Sequence, residues 1–206
     1  GSVVGRRRLD GSGRELLLLP QLAVVRTDRG VEAFGLRGER LLRHGGRGIR
    51  RITATEAGVV AEDRWGVFYI SFEEGKLLWS RELSGGYRPV LTDSLLLYST
   101  PDGLLTAYDL FSGKFEWSRG VAGAITARPL AWNGLLWLPV TAGRVLAVNL
   151  NGGVEGELLT ESPEVGVLYG NRNTLGGVSY DGRFWEFSSP GDLNLELPRV
   201  QRGAEF

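Results

Sequence analysis

The sequence predicts an all-β fold, a β-propeller of five four-stranded blades, on three observations. The first is a recurring motif. Residues 103–117 read Gly-Leu-Leu-Thr-Ala-Tyr-Asp-Leu-Phe-Ser-Gly-Lys-Phe-Glu-Trp, and a second copy ends Gly75-Lys76-Leu77-Leu78-Trp79. A third runs Gly143-Arg144-Val145-Leu146-Ala147-Val148-Asn149-Leu150, and a fourth opens Asp181-Gly182-Arg183-Phe184. The second observation is the period. Taking Gly75, Gly113 and Gly153 as equivalent, the copies lie about 38 to 40 residues apart, which is the spacing of propeller blades made from short strands. The third is the lack of helical signal. No stretch carries a capped apolar stripe at i, i+3, i+4 and i+7 over three turns.

Each blade then divides into four short apolar segments bounded by turn residues. Blade 1 takes 15–19, 22–26, 31–36 and 40–43; blade 2 takes 52–54, 58–61, 67–72 and 76–81. Blade 3 is the clearest, with 89–91, 95–99, 104–110 and 114–118. Pro101-Asp102-Gly103 and Ser112-Gly113 supply its turns, because proline presets φ and glycine accepts φ > 0. Blade 4 takes 128–130, 134–139, 145–150 and the segment after Gly152-Gly153; blade 5 takes 164–169, 174–180, 183–188 and 193–197. The apolar residues do not alternate cleanly with polar ones. In blade 3, Leu105 and Ala107 point one way while Leu104, Tyr108 and Leu110 point the other. Sheets covered on both faces are therefore expected, as in blades stacked side by side.

The corresponding domain plan is a tag remnant with a linker or closing strand over 1–13, one propeller over 14–200, and a tail over 201–206. The blades fall at about 14–46, 50–83, 86–121, 125–160 and 163–200. The segment Val3 to Asp10 is expected either to lie against blade 5 as a closing strand or to be a linker.

Composition narrows the classes. The chain has 206 residues, 42% of them hydrophobic, and contains no cysteine, so no disulfide framework or thiolate metal site is possible. No apolar run approaches the ~18 residues that span a bilayer; the strongest, Leu16 to Leu19, stops at Pro20. Methionine is absent and the chain opens Gly1-Ser2, which reads as the scar of a cleaved tag. A signal peptide or membrane anchor removed from the natural N-terminus is the expectation, and with it an exported, periplasmic or envelope-associated protein. The net charge of zero hides an asymmetry: residues 1–51 hold 12 arginines and 5 acids, residues 52–206 hold 12 basic and 19 acidic residues. A basic first blade on an acidic body can attract an anionic partner.

The pattern Gly-x-Leu-x-Ala-x-Asp-x-x-x-Gly-Lys-x-x-Trp resembles the PQQ-like repeat of quinoprotein dehydrogenases and their non-catalytic relatives. Gly103, Leu105, Ala107, Asp109, Gly113, Lys114 and Trp117 match it at every marked position. Gly75, Lys76 and Trp79 match its second half, with Ser71 in place of the aspartate and Tyr69 in place of the alanine. Gly143, Val145, Ala147, Asn149 and Gly153 match in blade 4, where Glu157 falls at the tryptophan position; Gly182 belongs to a looser match in blade 5. The resemblance implies that Trp79 and Trp117 pack between blades, a burial worth roughly 4–6 kcal/mol each as an upper bound. It implies that Ala107 and Ala147 sit where sheets approach closely. In its logic the chain is similar to the propeller lipoprotein of the outer-membrane β-barrel assembly machinery, though that relative has more blades.

Catalytic chemistry is not expected. A quinone cofactor of this family needs a hard cation with six or more oxygen ligands, and no Asp/Asn/Glu cluster of that kind is present. Glu62-Asp63 and Glu73-Glu74 read as solvated turns. His44, the single histidine, sits in the stretch Arg43-His44-Gly45-Gly46-Arg47-Gly48-Ile49-Arg50-Arg51, read as a basic loop; no nucleophile–histidine pair is built there, and no cofactor or metal is predicted. Asp102, Asp109 and Asp181 would serve a glycosidase only by pointing together into a channel. Candidate contacts for a protein partner or an anion are Arg43, Arg47, Arg50, Arg51, Trp65 and Trp132, since arginine and tryptophan on a rigid rim suit recognition. The expected function is a non-enzymatic interaction scaffold of the bacterial cell envelope, contributing to assembly of a membrane-associated protein complex. The alternatives are a periplasmic component of a type IV pilus, secretion or DNA-uptake machine, with nucleic acid or anionic lipid held by the first blade, and a small-ligand or carbohydrate-active propeller enzyme.

Overall fold

The structure is a computed structural model that describes residues 8–83, 85–171 and 173–188. These form five antiparallel sheets, in which neighbours in sequence are neighbours in space. The first contains β1 Gly13–Leu18, β2 Leu22–Thr27, β3 Gly30–Gly35 and β4 Arg40–Gly45; the second, β5 Arg51–Ala54, β6 Gly58–Glu62, β7 Val67–Ser71 and β8 Leu77–Arg81. The third contains β9 Val90–Leu91, β10 Leu95–Ser99, β11 Leu104–Asp109 and β12 Phe115–Gly120; the fourth, β13 Leu130–Trp132, β14 Leu135–Val140, β15 Arg144–Val148 and β16 Val154–Leu159. The fifth contains β17 Val165–Gly170, β18 Thr174–Ser179 and β19 Phe184–Ser188. The fourth strand expected over 193–197 and the tail 201–206 lie outside the described residues.

Two compact units divide these residues, one of 8–83, 91–96 and 108–115, the other of 85–90, 97–107 and 116–188. In the first, the pairing Leu17–Val24–Ala33–Leu42 lines up one face of the first sheet. That face packs on Ile52, Val59, Ala61 and Ile70 of the second. In the second unit, Trp137, Val145, Ala147 and Leu158 of the fourth sheet pack on Val165, Leu175, Trp185 and Phe187 of the fifth. Each buried Val, Leu, Ile or Phe among them contributes about 1.5–3 kcal/mol when withdrawn from water. The logic is the same in both units: the front face of one sheet takes the back face of the next.

The hairpins joining third and fourth strands are built alike. Gly35 N donates to Glu39 O at 3.0 Å, Ser71 N to Lys76 O at 3.1 Å, Asp109 N to Lys114 O at 2.8 Å, and Asn149 N to Gly153 O at 2.8 Å. The residue before each acceptor is a left-handed glycine: Gly38 (φ 77°), Gly75 (62°), Gly113 (66°) and Gly152 (82°). The repeat glycine of the fourth sheet is therefore Gly152, not Gly153. Its hairpin is one residue shorter than that of the third sheet, and counting from the sequence alone overshot. The same slip misplaced the tryptophan position: Ala147 pairs with Gly156 as Tyr69 pairs with Trp79, so Gly156, not Glu157, stands there.

The polar side chain opening each turn has a clear job. Asp109 Oδ1 accepts from Ser112 N at 2.7 Å and Ser112 Oγ at 2.5 Å. Asn149 Oδ1 accepts from Asn151 N and Gly153 N, and Ser71 Oγ from Glu74 N. These side chains occupy turn donors that have no strand partner.

The tryptophans then dock on these turns. Trp79 Nε1 donates to Leu110 O at 2.8 Å and its ring lies against Gly113; Arg81 Nε donates to Gly113 O at 2.8 Å. Trp117 Nε1 donates to Leu150 O at 2.9 Å and its ring lies against Gly152. The fourth strand of one sheet thus grips the third–fourth hairpin of the next, twice over, with the same atoms.

Candidate functional site

The first sheet presents the strongest concentration of charge. Its back face carries Leu16 and Leu18 on β1, Val25 on β2, Glu32 and Phe34 on β3, and Arg40 and Arg43 on β4, as the pairings Leu16–Val25–Glu32–Arg43 and Leu18–Ala23–Phe34–Arg40 require. Residues 8–12 run along this sheet. Asp10 N donates to Glu32 Oε1 at 2.6 Å, Thr27 Oγ1 donates to Asp10 O at 3.1 Å, and Ser12 N donates to Asp28 Oδ1 at 2.8 Å. Residues 1–7 lie outside the described residues, so Val3 to Asp10 as a whole is not placed; its described end is bound to the first sheet.

A recess of about 800 Å³ opens here, lined by Arg8, Asp10, Arg29, Arg40 and Arg43 among others. The Asp10 carboxylate sits between two guanidinium groups, bonded to Arg43 and to Arg29 Nη1 at 3.2 Å. The Arg43 hydrogen bond, aided by Arg29, holds its carboxyl below the ordinary carboxylate range. Glu32 is 2% exposed, and Arg40 Nε lies 3.3 Å from its Oε2. Arg40 also lies over the Phe34 ring at 5.9 Å. Four guanidinium groups thus face two carboxylates, leaving a positive recess open to solvent. Such a site attracts anions, and salt screens the attraction over about 10 Å.

The predicted contact residues do not form one loop. Arg43 and His44 belong to β4 and Arg51 opens β5, so only 46–50 connect the two sheets. His44 is half-buried, its ring 5.7 Å from that of Phe68, and burial pushes its pKa below the ordinary 6.5. Strand pairing with Val31 is what fixes it; the glycines around it suggested mobility that the ladder removes. Arg47, Arg50 and Arg51 are exposed. Trp65 is 66% exposed, with the Arg64 guanidinium 4.4 Å above its ring. Trp132, expected on the rim beside Asn133-Gly134, is half-buried instead. It donates to Asn171 O at 2.5 Å, lies over Gly170 and packs on Trp137, so it joins the fourth sheet to the fifth. Asp102 is bonded by Thr100 Oγ1 and Asp109 by Ser112, each within its own turn; Asp181 accepts from Arg183 N within its turn and from Ser162 Oγ at 3.0 Å across to another segment.

Sequence reasoning missed Arg29 and Arg40, and did not bring Arg8 together with them. Only the register that sets Glu32 beside Arg43 and brings Asp10 back over β3 shows that they converge. Among the described residues, no three His, Asp or Glu side chains are grouped to hold a metal ion, and no helix is long and apolar enough to cross a membrane.

Comparison with known proteins bears first on the fold. The structure superposes on that of BamB from Moraxella catarrhalis with a TM-score of 0.64 at 16% identity, covering 85% of this chain and 58% of that one. Hsv2 from Kluyveromyces lactis gives 0.63 at 12% identity, with 82% and 57% covered. The chain is a β-propeller. In sequence, it is 30% identical over 115 residues to the outer membrane protein assembly factor BamB of Moranella endobia (strain PCIT), a match spanning 50% of this propeller and 29% of that protein. The propeller thus aligns with under a third of that relative's length. No family model matches the sequence.

Proposed function

We propose that this propeller is a non-enzymatic interaction scaffold of the bacterial cell envelope that contributes to assembly of a membrane-associated protein complex. The observation that carries this reading is the coincidence of two likenesses. One assembly factor, BamB, is matched in sequence by one bacterial version and in fold by another. The PQQ-like repeat motif, matched fully in the third sheet, supports a place among the non-catalytic members of that repeat family. The chemistry of the surface supports it too. The carboxylates at the repeat turns are spent on backbone and hydroxyl donors, while arginines and Trp65 stand outward, the residue types that dominate contact hot spots. Partner contact is assigned to Arg47, Arg50, Arg51 and Trp65.

The test is cross-linking mass spectrometry in the native host. Cross-links from the surface around Trp65 and Arg47 to components that insert outer membrane proteins are expected, with loss when Trp65→Ala and Arg47→Ala are combined. Normal outer membrane protein levels after depletion of the protein would refute the reading. The arginine recess of the first sheet favours one addition, contact with an anionic partner. Binding of a labelled oligonucleotide or of anionic vesicles that weakens steeply with salt would reveal it, and binding that ignores salt would remove it.

A further inference from the structure

The fold brings together an indole and a set of guanidinium groups that the sequence keeps apart. Arg47 and Arg50 lie in the link between β4 and β5, Arg51 opens β5, and Arg64 and Trp65 form the tip of the β6–β7 turn. Arg51 pairs with Glu62 across the ladder, and Arg50 N donates to Glu62 O at 2.7 Å. These pairings set the basic link beside the turn that carries the indole. All five residues belong to one compact unit.

Both segments are held in place. In the link, Gly46 N donates to Arg29 O at 2.8 Å, Arg26 Nη1 donates to Ile49 O at 3.1 Å, and the Ile49 side chain is buried. In the turn, Asp63 N donates to Gly66 O at 3.0 Å, while Asp63 Oδ1 accepts from Trp65 N at 2.7 Å and Gly66 N at 3.0 Å. A surface fixed in this way loses little conformational entropy when it is covered.

Its charge is uncommitted. Elsewhere on these two sheets, Arg26, Arg29, Arg40 and Arg43 each meet a carboxylate, and Arg81 donates to the Gly113 carbonyl. Among the described residues, no ion pair holds Arg47, Arg50, Arg51 or Arg64. Residues 46–51 and 62–66 set these four arginines against two acids, Glu62 and Asp63. Asp63 is occupied by its own turn, and Glu62 is half-buried.

The make-up of the surface selects among anions. Single-stranded nucleic acid uses several aromatic platforms beside the charge, and Trp65 is the one aromatic residue in 46–51 and 62–66. A bilayer surface takes up apolar side chains, but the flanking Ile49, Ile52 and Val67 are all buried. Carboxylates suit separate guanidinium groups, which hold them through paired hydrogen bonds. A lone exposed indole suits a single apolar side chain.

Resting on the scaffold reading, which gives this surface to a protein partner, we propose that the partner offers it an acidic polypeptide segment. Its carboxylates meet Arg47, Arg50, Arg51 and Arg64, and one apolar side chain covers Trp65.

Fluorescence anisotropy of a labelled peptide of aspartate and glutamate around one central leucine tests it, with the asparagine and glutamine version as control. The acidic peptide is expected to bind the 206-residue chain, several-fold more weakly as salt rises from about 50 to 200 mM. Trp65→Ala should weaken binding about tenfold, and Arg50→Ala with Arg51→Ala at least as much. Lysine at both positions should restore part of that loss. Arg119→Ala, which removes an exposed charge on β12, should change nothing. Circular dichroism checks that each variant is folded. No binding at the lower salt, equal binding of the neutral peptide, or a loss from Arg119→Ala equal to the others would overturn the proposal. Oligothymidylate or phosphatidylglycerol vesicles held by these residues when the acidic peptide is not would also overturn it. Host cross-links that survive Arg50→Ala with Arg51→Ala would remove the acidic segment and leave the scaffold; normal outer membrane protein levels after depletion would remove the scaffold and leave peptide binding standing.

Discussion

Gly75 and Gly113 offer a matched pair for weighing the docking of Trp79. Both are left-handed, at φ 62° and 66°, and both precede the lysine of their hairpin. Alanine at either must adopt a conformation that costs about 1–2 kcal/mol. Beyond that they part. A Cβ on Gly75 meets nothing within 4 Å, whereas one on Gly113 would lie 2.6 Å from Cδ2 of Trp79. The indole is 9% exposed and has no open side to move into cheaply; forcing it aside costs about 1–3 kcal/mol as overpacking. Withdrawal also breaks the 2.8 Å bond to the Leu110 carbonyl, a buried acceptor whose loss adds ~1–3 kcal/mol. Gly75→Ala is therefore expected to cost ~1–2 kcal/mol and Gly113→Ala about 3–8 kcal/mol. Against a total stability of roughly 5–15 kcal/mol, the second is a severe loss. Urea unfolding followed by far-ultraviolet circular dichroism measures both without relying on the tryptophan. A double-mutant cycle sharpens it: with Trp79→Ala in place, the Gly113→Ala cost should fall to that of Gly75→Ala. Equal costs for the two alanines in the unaltered background would refute the docking argument.

The Trp117 copy of the contact is looser, since a Cβ on Gly152 would lie 3.0 Å from its ring and Trp117 is only half-buried. Gly152→Ala should accordingly cost less than Gly113→Ala by about 1–2 kcal/mol in the same urea experiment. Burial lowers the pKa of His44 below 6.5, so the unfolded chain binds the proton more readily than the folded one. The stability it contributes is full above the unfolded value and is lost as pH falls from about 6.5 towards the folded value; His44→Phe should flatten stability across that window in denaturant titrations at stepped pH. Asp109 has its pKa lowered below the ordinary 3.8, first by the Ser112 hydroxyl. Its contribution is present above that value and disappears as pH falls through the folded one, so acid unfolding of Asp109→Ala should begin from a baseline ~1 kcal/mol lower and rise less steeply.

The strands were readable because turn residues punctuate them. Pro101-Asp102-Gly103 and Ser112-Gly113 bound β11 closely, and apolar residues on both faces correctly demanded sheets covered on both sides. The slip at Gly152 and Gly153 shows the limit. Two adjacent glycines are indistinguishable to a motif, and only the carbonyl that accepts from Asn149 N decides which is left-handed. His44 was misread for a related reason. A run of glycine and arginine looks like a loop, yet its pairing to β3 depends on residues a dozen positions earlier. The arginine recess was the least legible feature. Arg8, Arg29, Arg40 and Arg43 are scattered through the sequence, and the chain must double back along the first sheet before they face a common space.

These observations bear jointly on what such a molecule can do. Acid–base or nucleophilic chemistry requires groups held rigidly yet left available to a substrate. Here rigidity is supplied at the turns, and the turns consume the groups. Asp63 accepts from the Trp65 and Gly66 amides, Asp109 from Ser112, and Asp181 from the Arg183 amide. Each carboxylate that shapes a hairpin is thereby committed to it. What the hairpins then project is different in kind: a tryptophan under an arginine at Trp65, and exposed guanidinium groups at Arg47, Arg50 and Arg51. Side chains of these types gain free energy by being covered rather than by reacting. The same turn chemistry that makes the repeat rigid thus favours a surface used for recognition.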